Sequence, residues 1–271
     1  MTILVTGGTG QVGSRLLRHL VNAGIECRAL VRSGKEVPAG VKRVEGDLFD
    51  AASLKQAVEG ASAVIHLAAV FRTPDESEIW HANLEGTRVL IAAVQEHAPQ
   101  ARFVMASTCL VYDEDASHPG REDDEVHPKH AYPASKVAAE KELRESGLNW
   151  SILRLPFVYG DGDGHLASVP AIVSRMKWHP AQTFSLAHQR DVSRAFEHAL
   201  TGAMDGRIVN ITDDAPSTLY EMARAVGVMI EPSAQPLNNP WWGRADGALS
   251  RSLGFRPNVA TLYKAVEERI L

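Results

Sequence analysis

The stretch Thr6-Gly7-Gly8-Thr9-Gly10-Gln11-Val12-Gly13 decides the fold of this chain, because it joins an apolar strand to an amphipathic helix. The strand is predicted over residues 3–6 and the helix over residues 12–23. Gly7, Gly10 and Gly13 give the spacing G-x-x-G-x-x-G. Glycine lets a backbone turn sharply and approach a phosphate group, whose charge then lies at the helix N-terminus. At the first strand–helix junction this spacing predicts a turn that binds a dinucleotide pyrophosphate, with a tight turn lacking a ligand as the alternative.

Short apolar runs alternate with amphipathic segments through residues 1–160. Further strands are predicted at residues 27–31, 41–44, 63–67, 103–106 and 151–155, and further helices at residues 84–94 and 134–145. The run 63–67 is apolar, as expected for a parallel strand covered on both faces. Strands that alternate with helices in this way predict an α/β fold with a doubly wound parallel sheet.

The alternation ends after residue 160. Helices are predicted at residues 169–178, 192–200, 219–228 and from residue 262, with a strand at 208–211 and an irregular stretch at 231–240. We therefore expect residues 1–160 to form a dinucleotide-binding domain to which residues 191–211 return. Residues 161–271 are expected to form a small substrate-binding lobe at the carboxyl edge of the sheet, where such folds bind ligands.

Composition and charge limit the class of protein. The chain has 271 residues, of which 45% are hydrophobic and 23% charged, and its formal net charge is −5. This charge gives no reason to expect nucleic acid or an anionic membrane as a partner. The histidines lack metal-ligand spacing, so no metal is predicted, and Cys27 and Cys109 form no disulfide framework. Because neither a signal peptide nor a membrane-length apolar run is found, the expected location is the cytoplasm.

The end of the second predicted strand bears on the choice of dinucleotide. Sites that prefer NAD usually end this strand with a carboxylate for the ribose 2′-hydroxyl. Here Val31 and Arg32 stand at the end of the strand, and an arginine fork suits the 2′-phosphate of NADP. The sequence therefore favours NADP over NAD, with a solvated Arg32 as the alternative.

Tyr132 and Lys136 supply a phenol and an ammonium group four residues apart, on one face of a helix. Pro133 is tolerated only in the first turn, so Tyr132 is expected at the helix start. A phenol with an ordinary pKa near 10 is a poor base at neutral pH, and a nearby cation favours its phenolate. The pair is therefore a candidate for proton transfer, although the spacing alone is common.

The surrounding segments resemble the extended short-chain dehydrogenase/reductases, a group that includes the NAD-dependent epimerase/dehydratase family. The likeness covers nearly the whole chain. It rests on the glycine stretch, Gly46-Asp47-Leu48, His66-Leu67-Ala68-Ala69, Asn83-Leu84-Glu85-Gly86-Thr87, Ser107-Thr108-Cys109-Leu110-Val111-Tyr112, the Tyr132–Lys136 pair, Arg154-Leu155-Pro156-Phe157-Val158-Tyr159-Gly160, Asp191-Val192 and Leu253-Gly254-Phe255-Arg256-Pro257.

This resemblance implies a Rossmann fold, a nicotinamide cofactor, a small-molecule substrate and, by analogy with many members, a homodimer. It implies that Tyr132 transfers the proton at the substrate oxygen, that Thr108 holds that oxygen, and that Lys136 binds the nicotinamide ribose and lowers the tyrosine pKa. The residues that it assigns to the cofactor site are Gly7, Gly10, Gln11, Val12, Gly13, Arg32, Asp47, Leu48, Leu67, Ala68, Ala69, Tyr132, Lys136, Pro156 and Val158.

The sequence leaves the roles of five further residues open. Ser107 is a weaker candidate for the role of Thr108. Asn83 either orders a proton-relay water or has a purely structural role at the start of a helix. His66 either contacts the cofactor or is a packed core histidine. Trp241 and Trp242 wall a substrate pocket or, as the sequence favours, pack together to close the lobe.

The leading function is hydride transfer at a secondary alcohol or carbonyl carbon, and the motifs do not separate a reductase from an epimerase. A sugar dehydratase is disfavoured because Cys109-Leu110 follow Thr108 where dehydratases carry Asp-Glu. A non-catalytic NADP-sensing protein is disfavoured by the Tyr–Lys pair. Residues 161–190 are few for a nucleotide-binding lobe, and their only cations for a diphosphate are Arg175, Lys177 and Arg190. This stretch therefore predicts a small or moderately apolar substrate. A nucleotide-sugar epimerase is the alternative, with diphosphate contacts supplied by the later Arg244 and Arg251.

Overall fold

The computed structural model describes residues 1–271, and a seven-stranded parallel sheet lies at its centre. The eleven strands of the chain are β1 (Thr2–Thr6), β2 (Glu26–Val31), β3 (Val41–Glu45), β4 (Ala63–His66), β5 (Arg102–Thr108), β6 (Asn149–Leu155), β7 (Phe157–Tyr159), β8 (Thr183–Phe184), β9 (Leu186–His188), β10 (Arg207–Asn210) and β11 (Ser217–Thr218). The strand order in the large sheet is β10-β6-β5-β4-β1-β2-β3, and all neighbours are parallel.

Helices cover both faces of this sheet. The ten α-helices are α1 (Gln11–Asn22), α2 (Ala51–Val58), α3 (Glu76–Trp80), α4 (Gly86–His97), α5 (Ala131–Glu145), α6 (Val169–Met176), α7 (Gln189–Leu200), α8 (Leu219–Ala225), α9 (Ala248–Ser252) and α10 (Leu262–Glu267). Alternation along β1 sends Ile3 and Val5 into a core with α1 and α7, and sends Leu4 into a second core with α2, α4 and α5. The predicted doubly wound α/β fold is therefore confirmed.

The smaller strands and the last helices form a third core beside the carboxyl edge of the sheet. β7 pairs with β9, β8 pairs with β11, and apolar residues of α6, α8 and α10 pack around the buried Tyr159. Trp242 makes edge contacts with Trp178 and Phe184 at centroid distances of 4.9 and 5.3 Å. Trp242 thus packs into this core, whereas Trp241 lies under the guanidinium group of Arg244.

Several elements differ from the sequence prediction. α2, α3, α9 and the strands β7, β8, β9 and β11 were not predicted. The helix predicted at residues 84–94 is preceded by a π-helical turn over His81–Glu85, and the helix predicted at 169–178 ends at Met176 because Lys177 has φ +53°. None of the helices combines the length and the apolar character that a membrane crossing requires.

Candidate active site

The glycine stretch forms a tight turn that is packed against the end of β4. Gly7 has φ +70°, and a Cβ atom there would lie 2.6 Å from the backbone nitrogen of Ala68. A Cβ atom on Gly13 would lie 2.2 Å from the carbonyl oxygen of Gly7, so neither position accepts a larger residue. α1 begins at Gln11 after Gly10, and no side chain caps its first backbone N–H groups. Uncapped N–H groups beside such a close backbone turn fit a dinucleotide pyrophosphate.

The ends of β2 and β3 carry the residues predicted to meet the adenosine half of the cofactor. β2 ends at the buried Val31, and Arg32 after it is exposed to solvent. Asp47 follows β3, and its Oδ1 accepts a hydrogen bond from the backbone N–H of Phe49 at 3.0 Å. Leu48 beside it is half-buried. Since β2 and β3 are neighbours, Arg32 and Asp47 lie at adjacent strand ends on the carboxyl edge.

The ends of β4 and β6 carry the residues predicted to line the nicotinamide half. Leu67, Ala68 and Ala69 follow β4 directly, and the Ala68 N–H donates to the Thr6 hydroxyl at 3.4 Å. Pro156 lies between β6 and β7, and the half-buried Val158 lies within β7. These segments also belong to the carboxyl edge, so the fold gathers the predicted cofactor residues along one side of the sheet.

Thr108 and Tyr132 lie together where β5 ends and α5 begins. Thr108 is buried, and its Oγ1 accepts a hydrogen bond from the backbone N–H of Leu110 at 3.1 Å. Burial raises the pKa of Tyr132 to about 12, and the Thr108 hydroxyl opposes this rise. Lys136 is not among the groups that shift the pKa of Tyr132. The family resemblance implies that Lys136 lowers this pKa, and the chain without cofactor does not show that effect. Tyr132 therefore keeps its proton at neutral pH.

Lys136 is 2% exposed, although no carboxylate forms an ion pair with it. Burial lowers the pKa of its ammonium group to about 8, and the charge of Glu140 one turn further along α5 opposes this change. A buried ammonium group is favourable only with hydrogen-bond acceptors around it. Lys136 is therefore suited to a polar ligand such as a ribose, which offers hydroxyl oxygens.

A buried ion pair lies behind these residues. Glu140 on α5 accepts hydrogen bonds from Nε and Nη2 of Arg154 on β6, at 3.1 and 2.7 Å. The hydroxyl of Ser107 donates to the same carboxylate. The hydroxyl of Ser107 is therefore engaged by Glu140, whereas the Thr108 hydroxyl lies beside Tyr132, and Ser107 stays the weaker candidate of the two.

Asn83 and His66 are both held by the chain itself. The Asn83 side chain donates to Val70 O and Ser135 Oγ, at 2.8 and 3.0 Å, and accepts from the Val70 N–H. Both of its N–H groups are used, so Asn83 fastens the loop after β4 to α5. His66 lies between the hydroxyls of Thr6 and Thr87, and burial lowers its pKa to about 3, as in a packed core histidine.

An aromatic rim that the sequence did not predict borders Tyr132. The Phe71 ring, which is half exposed, lies 5.4 Å from the Tyr132 ring, and the Arg72 guanidinium group lies 4.7 Å from the Phe71 centroid. Across the site, His165 stacks on Phe157 at 3.9 Å. The only sequence signal for Phe71 and Arg72 was their place directly after the segment 67–69.

A fold and a site of this kind define a class, the nicotinamide-dependent short-chain dehydrogenase/reductases. The chain belongs to the NAD dependent epimerase/dehydratase family, whose model matches residues 3–212. It is thus an NAD(P)-dependent enzyme of that class, which confirms the family predicted from the sequence.

Named relatives include both reductases and epimerases. The chain is 30% identical to a 4-hydroxy-2-methyl-3-oxo-4-farnesyl-3,4-dihydroquinoline-1-oxide ketoreductase of Stigmatella aurantiaca, over 81% of this chain and 70% of that protein. It is 33% identical to a UDP-glucose 4-epimerase of Azospirillum brasilense, but over only 54% of this chain and 44% of the epimerase. A short-chain dehydrogenase/reductase superfamily protein of Agrobacterium tumefaciens, solved with NAD, has a TM-score of 0.83 at 23% identity, covering 99% of this chain and 95% of that one.

Proposed function

We propose that this enzyme reduces the carbonyl group of a small, partly apolar substrate with NADPH. The proposal rests on one observation: Thr108 lies close enough to Tyr132 to oppose the rise of its pKa, and the Tyr132 ring packs beside Phe71. Thr108 already accepts from Leu110, so its O–H is free to donate to the substrate oxygen. Tyr132 donates the proton to the same oxygen. The nicotinamide supplies the hydride, and Lys136 binds its ribose.

The protonation state of Tyr132 bears on its role in proton transfer. Because burial raises its pKa to about 12, the phenol is an acid with its proton in place at pH 7. Reduction needs such a proton donor, whereas alcohol oxidation needs a phenolate that acts as a base. The protonated phenol is therefore in the form that donates a proton, as carbonyl reduction requires.

NADP is the proposed cofactor. Arg32 stands exposed at the end of β2, where a 2′-phosphate would lie, and no carboxylate is present at Val31 or Arg32. A guanidinium group can bind a phosphate through two parallel hydrogen bonds. Asp47, at the adjacent strand end, is proposed to contact the adenine amine.

A small substrate is favoured by the way the lobe uses its cations. Arg190 is paired with Asp161, and Arg251 bonds to Asp214 and to two backbone carbonyls. Arg244 stacks on the Trp241 ring. Of the candidate cations for a diphosphate, only the exposed Arg175 and Lys177 therefore remain without a partner, and the likeness to a UDP-glucose 4-epimerase keeps a nucleotide-sugar epimerase as the second candidate.

Two features of the environment are proposed with this function. Both cysteines are free and buried, which is compatible with a reducing cytoplasm. Assembly as a homodimer is proposed from the family resemblance alone.

Single-turnover kinetics on a panel of ketones with NADPH tests the reaction. Tyr132→Phe keeps the ring that packs on Phe71, and we expect it to slow hydride transfer by roughly 10²–10⁴-fold while binding NADPH normally. Tyr112→Phe is the matched control, because the buried Tyr112 hydroxyl donates to Asn210 at 2.7 Å, and its loss should lower stability rather than rate. Hydride transfer by Tyr132→Phe at the wild-type rate contradicts the assignment.

Thermal shift with NADPH and UDP, GDP or dTDP tests the second candidate. No stabilisation is expected from any of the three nucleotides. Saturable stabilisation by one of them at micromolar concentration would favour the epimerase.

A further inference from the structure

Arg72 presents an exposed guanidinium group at the rim of the proposed active site. The loop after β4 carries it, and none of the ion pairs of the chain includes it. Its Nη2 lies 3.4 Å from Nε2 of His165, and its guanidinium carbon lies 4.7 Å from the Phe71 centroid. Two aromatic side chains from different parts of the chain therefore hold this cation, while its charge stays uncompensated.

None of the groups around Arg72 pairs with its positive charge. His165 Nδ1 bonds to the carbonyl oxygen of Val158 at 2.7 Å, so Nδ1 carries the proton and Nε2 accepts from Arg72. Burial lowers the pKa of His165, and the Arg72 charge lowers it further, so this imidazole is neutral at pH 7. Asp163 accepts hydrogen bonds from the backbone N–H of His165 and from the side-chain amide of Gln189, and it forms no ion pair with Arg72.

The position of Arg72 relative to Tyr132 defines what it can reach. The Phe71 ring centroid lies 5.4 Å from the Tyr132 ring centroid and 4.7 Å from the guanidinium carbon of Arg72, so Phe71 contacts both groups. A substrate whose carbonyl oxygen meets Tyr132 can therefore lay a short hydrocarbon segment along Phe71. The far end of that segment arrives at an unpaired cation.

We propose that Arg72 binds the carboxylate of the substrate, which makes the substrate class oxo acids whose carbonyl and carboxylate are separated by a short apolar segment. This inference rests on the proposed carbonyl reduction and adds the recognised group. A guanidinium fork matches the geometry of a carboxylate and forms two parallel hydrogen bonds with it. Phe71 supplies the apolar wall, and Arg72 selects for the charge.

Calorimetric titration of the NADPH-bound enzyme with hexanoate and with hexanamide tests the inference without turnover. The two probes share their length and differ in charge, and hydrogen bonds to charged groups of this kind are worth about tenfold or more in affinity. We expect hexanoate to bind at least about tenfold more tightly than hexanamide. Arg72→Met should abolish the difference, and Arg72→Lys should restore part of it. Arg144→Met, on the exposed last turn of α5, is the control for loss of one positive charge and should behave as wild type.

The outcomes separate the two proposals. Equal binding of hexanoate and hexanamide, or a preference that survives in Arg72→Met, overturns the carboxylate site even if ketones are reduced at the wild-type rate. UDP binding that depends on Arg72 also overturns it, in favour of a phosphate ligand. A preference for hexanoate that depends on Arg72 supports the carboxylate site even if no ketone of the panel is reduced. That result would contradict the proposed carbonyl reduction and leave the carboxylate site standing.

Discussion

The Lys136→Met variant removes a buried charge and keeps the length of the side chain. The pKa of Lys136 is lowered from 10.5 to about 8 by burial, and each pKa unit corresponds to 1.36 kcal/mol. At pH 7 the charged lysine therefore costs the folded chain about 3 kcal/mol. Because Glu140 remains bonded to Arg154 and Ser107, the substitution leaves no carboxylate unpaired. We expect the variant without cofactor to be more stable by about 3 kcal/mol, or roughly 5–10 °C in Tm.

The sign of the pH dependence gives this prediction a second readout. Between pH 8 and pH 10.5 the unfolded chain still binds the lysine proton and the folded chain does not, so wild-type stability rises relative to the variant. The difference between the two proteins should shrink over this range and vanish near its upper end. Urea denaturation at pH 7, 9 and 10.5 measures it.

Lys136→Met should gain stability but lose affinity for the cofactor. Loss of the charged hydrogen bonds to the ribose is expected to weaken NADPH binding by at least about tenfold. A variant that is no more stable than wild type at pH 7 would refute the buried-charge argument. A variant that binds NADPH as tightly as wild type would refute the assignment of Lys136 to the ribose.

Three further substitutions test other parts of the molecule. Arg32→Ala should weaken NADPH binding at least about tenfold and leave NADH binding unchanged in calorimetric titration, since only NADPH carries the 2′-phosphate. Asp213 is buried without a well-formed hydrogen bond, and burial raises its pKa to about 8. Asp213→Asn should therefore match wild-type stability near pH 4 and exceed it by roughly 5 kcal/mol at pH 8, as measured by urea denaturation. Glu140→Gln should lower the free energy of unfolding by roughly 3–5 kcal/mol, because it leaves Arg154 buried and unpaired.

The strands of the central sheet were predictable because their burial on both faces leaves a continuous apolar run. β4 is buried at all four positions, and this pattern requires no knowledge of its neighbours. α2 was missed although it carries a signal, since Asp50 caps its start and Leu54 and Val58 lie four residues apart on its buried face. The two-residue strands β8 and β11 are too short for any periodicity to appear in the sequence.

The site was predictable where a motif fixes spacing and unpredictable where distant segments meet. The resemblance pointed to Thr108, Tyr132 and Lys136, and the structure brings Thr108 and Tyr132 together. The engagement of Ser107 by Glu140 depends on which face of β5 turns towards α5, and the sequence gives no information on this choice. The contact of Arg72 with His165 joins residues 93 positions apart, so no local pattern predicts it.

The hydrogen bonds of Asn83 also bear on the entropy of substrate binding. Asn83 lies in the π-helical turn and holds Val70 through two hydrogen bonds of 2.8 Å, one residue before Phe71. Immobilising a flexible loop when a ligand binds subtracts from affinity, whereas a loop that is already fixed avoids most of that loss. The rim should therefore recognise ligands with little rearrangement, and its selectivity is built into the folded chain before any substrate arrives.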